Sequence, residues 1–324
     1  RNYQGKAEAA GAELAQSLEV FQSQGAIEEA LQCQSSLANW HLTLGHFAEA
    51  EAGFLRAVEM ASTKQMPLSF AQAQACDGLS LVYSSLGKFE LAEQYGAQAL
   101  AGYRQLGHRR GEGSQLNAAA QTYLRKGDYP QAATYAQAAL AIFEEMDLLS
   151  GQARCLDMLG GARLYQGKYD EARRHLLRSL EIKQTIGERV QEGQSLNNLG
   201  FCSLILGDFV QAGERFEQAL GLSRALNRRA AQVVNLTNLA LLALLEESAP
   251  RAQPYAQEAL QIADALGTPQ ENGIALGMMA QVLAGLGRPE EALLFYQQAE
   301  AIYREAKMPG AVVEMQAGMA RALL

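Results

Sequence analysis

Glycine returns at a fixed interval along this chain: Gly45, Gly87, Gly127, Gly167 and Gly207, 42 residues apart once and 40 thereafter. Each lies in the same short phrase, as in Leu86-Gly87-Lys88-Phe89, Lys126-Gly127-Asp128-Tyr129 and Leu206-Gly207-Asp208-Phe209. Extending the period reaches Glu247, where the phrase has decayed to Glu-Glu-Ser-Ala-Pro, and then Gly287. Stepping back reaches Gly5, in Tyr3-Gln4-Gly5-Lys6. Five residues beyond each point stands an alanine: Ala10, Ala50, Ala92, Ala132, Ala172, Ala212, Ala252 and Ala292. Seven residues before it stands a small residue: Ala38, Ser80, Ala120, Gly160, Gly200, Ala240 and Ala280. Self-similarity of this length is the mark of a repeat architecture, in which each unit buries its apolar face only against its neighbours.

The spacing predicts helix A, a tight turn at the glycine, then helix B. Glycine ends helix A because it adopts a left-handed conformation without a steric penalty. Asp128 and Asp208 follow it, where a carboxylate caps the first turn of helix B. The small residue on A and the alanine on B let two backbones approach closely. Leu37, Leu79, Leu159, Leu199 and Leu239, one residue earlier, fill the gap between neighbours, and apolar residues recur at helical spacing, as in Leu176 and Leu180. The expected fold is all-α: a right-handed superhelical solenoid of antiparallel helix pairs. About seven full repeats, with pairs starting near 31, 73, 113, 153, 193, 233 and 273, are flanked by half repeats at 1–30 and 311–324. Two extra residues in the 31–72 unit are expected near Lys64 to Pro67. The turn of the decayed unit is left open. The chain starts at Arg1, without a methionine, and is expected to be one part of a longer protein.

A small residue, a turn glycine, an aromatic two residues on and alanines on helix B resemble the tetratricopeptide repeat family. A 40-residue unit, in place of the ordinary ~34, is similar to the longer-helix members: Pins-type polarity adaptors, kinesin light chains, Rap-type bacterial peptide receptors and sensor domains of bacterial signalling ATPases. The turns Gly187-Glu188-Arg189 with Glu192-Gly193, and Gly107-His108-Arg109 with Glu112-Gly113, look like the Gly-Asp-Arg-x-x-Glu-Gly turn of the Pins-type and bacterial versions.

Composition narrows the function. The formal net charge is −8, and no basic stripe of the kind that holds phosphates is present, which argues against nucleic acid as a partner. The His108-Arg109-Arg110 cluster is too short to serve as one. Cys33, Cys76, Cys155 and Cys202 form no CxxC pair and have no histidine at ligand spacing, so neither zinc nor a disulfide framework is expected. Reduced cysteines fit a cytoplasmic setting. The longest apolar stretch, Leu236 to Leu245, falls short of a membrane span. His41, His46, His108 and His175 have no evident acidic or nucleophilic partner, and there is no phosphate loop or GxSxG elbow. No catalytic site, metal or cofactor is expected.

The resemblance implies a ligand groove lined by helix A, at 13, 10, 9, 6 and 2 residues before the turn glycine. These positions hold Ser114, Asn117, Ala118, Gln121 and Arg125; then Arg154, Asp157, Met158, Gly161 and Tyr165; then Gln194, Asn197, Asn198, Phe201 and Ile205; then Val234, Thr237, Asn238, Leu241 and Leu245. The candidate peptide-binding residues are Asn117, Gln121, Arg125, Arg154, Asp157, Gln194, Asn197, Asn198, Phe201, Asn238 and Leu241. Asn198 and Asn238 lie one period apart; each amide can hold a peptide backbone or bond a neighbouring helix. The apolar set Phe201, Leu204, Leu241, Leu244 and Leu245 reads as a contact patch or as core. Arg109, Arg189 and Arg229 form an edge ladder or pair with acids such as Glu112 and Glu192. The expected function is a protein- or peptide-binding module, a sensor or scaffold within a bacterial signalling or regulatory protein. The alternatives are a scaffold that self-associates through an exposed end, giving a homo-oligomer, and a small-molecule sensor.

Overall fold

The computed structural model describes residues 2–63, 69–306 and 308–323. Among them are sixteen α-helices and no strand. The first, α1 (Asn2–Gln24), is followed by seven A–B hairpins: α2 (Ile27–Thr43) with α3 (Phe47–Thr63), α4 (Phe70–Ser85) with α5 (Phe89–Gln105), α6 (Arg109–Lys126) with α7 (Tyr129–Glu145), α8 (Leu149–Tyr165) with α9 (Tyr169–Ile186), α10 (Arg189–Ile205) with α11 (Phe209–Ala225), α12 (Arg229–Leu245) with α13 (Ala249–Leu266), and α14 (Pro269–Gly285) with α15 (Pro289–Glu305). A last helix A, α16 (Pro309–Ala322), closes the series. The helices of type A begin three or four residues ahead of the expected starts, because helix follows the inter-repeat turn at once, as at Gly187-Glu188-Arg189. No turn forms at Gly5: α1 runs through it, and Ala10 is exposed where the other repeat alanines are buried. The expected extra residues near Lys64 to Pro67 lie outside the described residues. The chain divides into two compact units, Arg1–His175 and Leu176–Leu324.

Each turn from helix A to helix B closes in the same way. At Gly207 (φ 76°), the Gly207 N–H donates to the Leu204 carbonyl at 3.1 Å and the Asp208 N–H to the Ser203 carbonyl at 2.9 Å, the paired bonds of a left-handed helix end. The carboxylates of Asp128 and Asp208 then accept from the Gln131 and Gln211 N–H groups at 3.2 and 3.0 Å. The decayed unit keeps this turn. Glu247 takes φ 56° itself, the Glu247 N–H donates to the Leu244 carbonyl at 3.0 Å, and the Ser248 N–H donates to the Ala243 carbonyl at 2.9 Å. A side chain there is strained, since Cβ crowds the following carbonyl. Glu247→Gly is therefore expected to raise stability by about 0.5–1 kcal/mol in urea unfolding; an unchanged or lower midpoint would refute the strain.

Within each unit the small residues make the seams. Ala50, Ala132, Ala172, Ala212, Ala252 and Ala292 have no exposed surface, and neither do Ala38, Ala120, Ala240 and Ala280 facing them from the A helices. Helix A also packs on the next helix A at five joints: α2 on α4, α4 on α6 and α6 on α8 in the first unit, α12 on α14 and α14 on α16 in the second. Aromatic rings at the ends of B helices seat against glycines of the following A helix. A methyl on Gly111 would lie 2.6 Å from the Tyr103 ring, and one on Gly151 2.5 Å from the Phe143 ring. The same position of α9 holds Lys183, which is buried, its Nζ donating to Ser195 Oγ at 2.8 Å. The four cysteines are free thiols. Burial pushes Cys76 up to about 11 and Cys155 to about 12, so both behave as small apolar side chains.

Candidate functional site

In the second unit, α10 and α12 stand beside the end of α11 and enclose a cavity of about 320 Å³. Gln194, Asn197 and Asn198 line it from α10; Val234 and Asn235 line it from α12, with Arg189, Val190, Leu226, Arg228 and Glu271 at its edges. Three of the sequence-predicted residues thus share one cavity. Gln194 and Asn198 are exposed, with their amides open to a ligand, while Asn197 is half-buried.

Asn238 plays a different part from the one its spacing suggested. It is 9% exposed, and its Nδ2 donates to Asn197 Oδ1 at 2.6 Å. Its amide therefore bonds the neighbouring helix, and its partner is Asn197 rather than Asn198. That bond occupies the Asn197 oxygen and leaves the Asn197 NH₂ to donate. On the cavity floor, Asn235 Nδ2 reaches Ser223 Oγ at 3.3 Å, and that hydroxyl donates to the Leu220 carbonyl at 2.9 Å. Asn235, Arg228, Leu226 and Glu271 were not foreseen. They come from the next repeat or from the end of a helix B, outside the five positions of one helix A.

The apolar set separates into core and surface. Leu204 is buried with Phe216, Leu236 and Leu239, so it is core. Leu241 and Leu244 are half-buried against the core. Phe201 and Leu245 remain exposed, and the Phe201 ring meets Phe216 edge-on at 6.4 Å. Neither Phe201 nor Leu241 lines the cavity.

The remaining predicted residues belong to the first unit. Arg125 and Arg154 are exposed; Asn117, Gln121 and Asp157 are half-buried. Asn117 Oδ1 is a buried acceptor with no hydrogen-bond partner among the described residues. Arg125 Nη1 lies 3.5 Å from the Ser84 carbonyl and from Ser85 Oγ, tying it to α4. Two rungs of the arginine ladder are ion-paired: Arg109 with Glu112 and Glu145, both at 2.6 Å, and Arg189 with Glu192 at 3.2 Å. Among the described residues, no three His, Cys, Asp or Glu side chains are grouped to hold a metal, and no helix is long and apolar enough to cross a membrane.

A stack of A–B hairpins with an amide-lined cavity on its A helices defines a helical-repeat scaffold. The family model of the tetratricopeptide repeat matches residues 70–145, 152–225 and 229–305, and the chain belongs to that family. Solved structures share the fold. The apo form of the quorum sensor NprR from B. thuringiensis is 16% identical with a TM-score of 0.72, over 91% of this chain and 83% of that one. A Signal Transduction ATPase with Numerous Domains carrying a tetratricopeptide repeat sensor, from Pyrococcus horikoshii, is 15% identical with a TM-score of 0.68, over 91% of this chain and 46% of that one. A Rap protein complexed with Competence and Sporulation Factor is 13% identical with a TM-score of 0.62, over 98% of this chain and 96% of that one. No curated protein matches.

Proposed function

We propose that this chain is a protein- or peptide-binding module, serving as a sensor or scaffold within a bacterial signalling or regulatory protein. The observation that carries this reading is the cavity of about 320 Å³ where Gln194, Asn197 and Asn198 converge beside Val190, Val234 and Leu226. An amide offers a donor and an acceptor, as the main chain of an extended peptide does. The apolar residues would take one side chain, and the amides would fix the register. Asn238 would act as a positioning residue through Asn197. The fold-level likeness to a quorum sensor and to a Rap protein complexed with a factor supports a sensing role.

The test begins with peptides selected from a display library against the folded chain. Their affinity is then measured by fluorescence anisotropy. Gln194→Ala with Asn198→Ala is expected to weaken binding by about tenfold or more, the scale of two lost hydrogen bonds. Val313→Asp, at an exposed site on α16, is expected to leave it unchanged. Selected peptides that bind the double variant with full affinity would place the site elsewhere.

A further inference from the structure

The first unit carries a hollow of its own, of about 330 Å³, where the start of α6 meets α4 and the end of α5. It is lined by Phe70, Gln74, Asp77, Tyr103, His108 and Arg110, with Gly111 and Ser114 behind them. Two opposite charges belong to it. Asp77 sits on α4, ten residues before the turn glycine Gly87 and so equivalent to Asn197 in the second unit, with only part of its surface open. Its carboxylate accepts from the Tyr103 hydroxyl at 3.4 Å, and no cation among the described residues pairs with it. Arg110 is exposed on the first turn of α6 and joins no ion pair among the described residues. Part of the wall of the hollow is aromatic. Phe70, 40% exposed, stands 4.6 Å from the His108 ring and 5.9 Å from the Tyr103 ring between centroids, and Tyr103 and His108 are 5.7 Å apart. His108 Nδ1 accepts from the Gly111 N–H at 2.9 Å, so the imidazole is held as part of that wall.

We infer that this hollow binds a small zwitterion of the α-amino acid class, its ammonium on Asp77, its carboxylate on Arg110 and its side chain against Phe70 and His108. A partly buried carboxylate without a cation is costly, and a bound ammonium supplies the missing charge. A guanidinium suits a carboxylate because its fork presents two parallel donors. The exposed face of Phe70, in the same hollow as the two charges, gives a side chain somewhere to bury. Burial also raises the Asp77 carboxyl, with the Tyr103 hydrogen bond opposing it, in keeping with a group poised to gain a cation. The site lies wholly within the first unit and is independent of the amide cavity.

A thermal-shift screen of the whole chain tests this, using the standard amino acids at about 10 mM, a concentration that detects millimolar affinity. Each is run beside its decarboxylated amine and its N-acetyl derivative. At least one amino acid is expected to raise the Tm by several degrees while its amine and its N-acetyl form do not. Asp77→Asn keeps the shape and an acceptor for Tyr103, so it folds; it is expected to weaken the hit by about tenfold or more, and Arg110→Ala by a similar factor. The inference fails if no amino acid raises the Tm. It also fails if the amine alone binds as well, or if either variant retains full affinity.

Discussion

Phe216→Ala is expected to destabilise the second unit by about 3–5 kcal/mol, the range for emptying a fully buried phenylalanine site. The ring has no exposed surface and is packed among Leu204, Leu220, Leu236 and Leu239. It fits only because α10 carries glycine at the seam: a methyl on Gly200 would lie 2.5 Å from Phe216 Cε1. Gly200→Ala alone should therefore cost about 1–3 kcal/mol through overpacking. The two changes touch one another, so the double variant should cost less than the sum of the two singles. Urea unfolding of the four proteins measures the cycle. Additive costs would mean that ring and glycine do not share the space described.

Asp77→Asn is expected to work in the other direction and stabilise the protein at neutral pH. Burial pushes the Asp77 carboxyl up to about 6, above its ordinary 3.8. The folded state thus holds this proton more tightly than the unfolded state does. Between about pH 4 and 6 the native protein binds more protons at this site, and its stability falls as pH rises; above 6 the penalty is constant. Asparagine carries no such penalty. The gap between the variant and the parent should be on the order of 1–3 kcal/mol at pH 7.5 and close below pH 4. Equal stability at both pH values, or a parent more stable at pH 7.5, would contradict the burial of an unpaired charge. If the same substitution stabilises the protein while abolishing amino-acid binding, the carboxylate is kept for its ligand, at a cost in stability.

The fold was legible because its strongest signals are short-range. A left-handed turn demands glycine, and a close seam demands alanine or glycine. Both needs recur at one period, so even the unit around Glu247, which has lost the glycine, keeps its place through its neighbours. The candidate site was less legible. Gln194, Asn197 and Asn198 could be named from the sequence because the family resemblance supplies the groove positions of a helix A. Asn235, Leu226 and Arg228 were missed because a cavity between repeats takes half its wall from outside that helix. The part played by Asn238 depended on a quantity that spacing does not hold, namely which of two adjacent amides its side chain reaches. Asp77 carries no motif, and its interest arises from the cation it lacks in three dimensions.

The rings that seat against glycines have a consequence for how such a chain can change. Tyr103 meets Gly111, and 40 residues on Phe143 meets Gly151, so one lock is cut twice with the same key. Removing or duplicating the stretch between these points would again bring a ring to a glycine. Such a joint would not register that anything had been spliced. Length is then a heritable variable separable from stability, and the chain can lengthen or shorten a whole hairpin at a time.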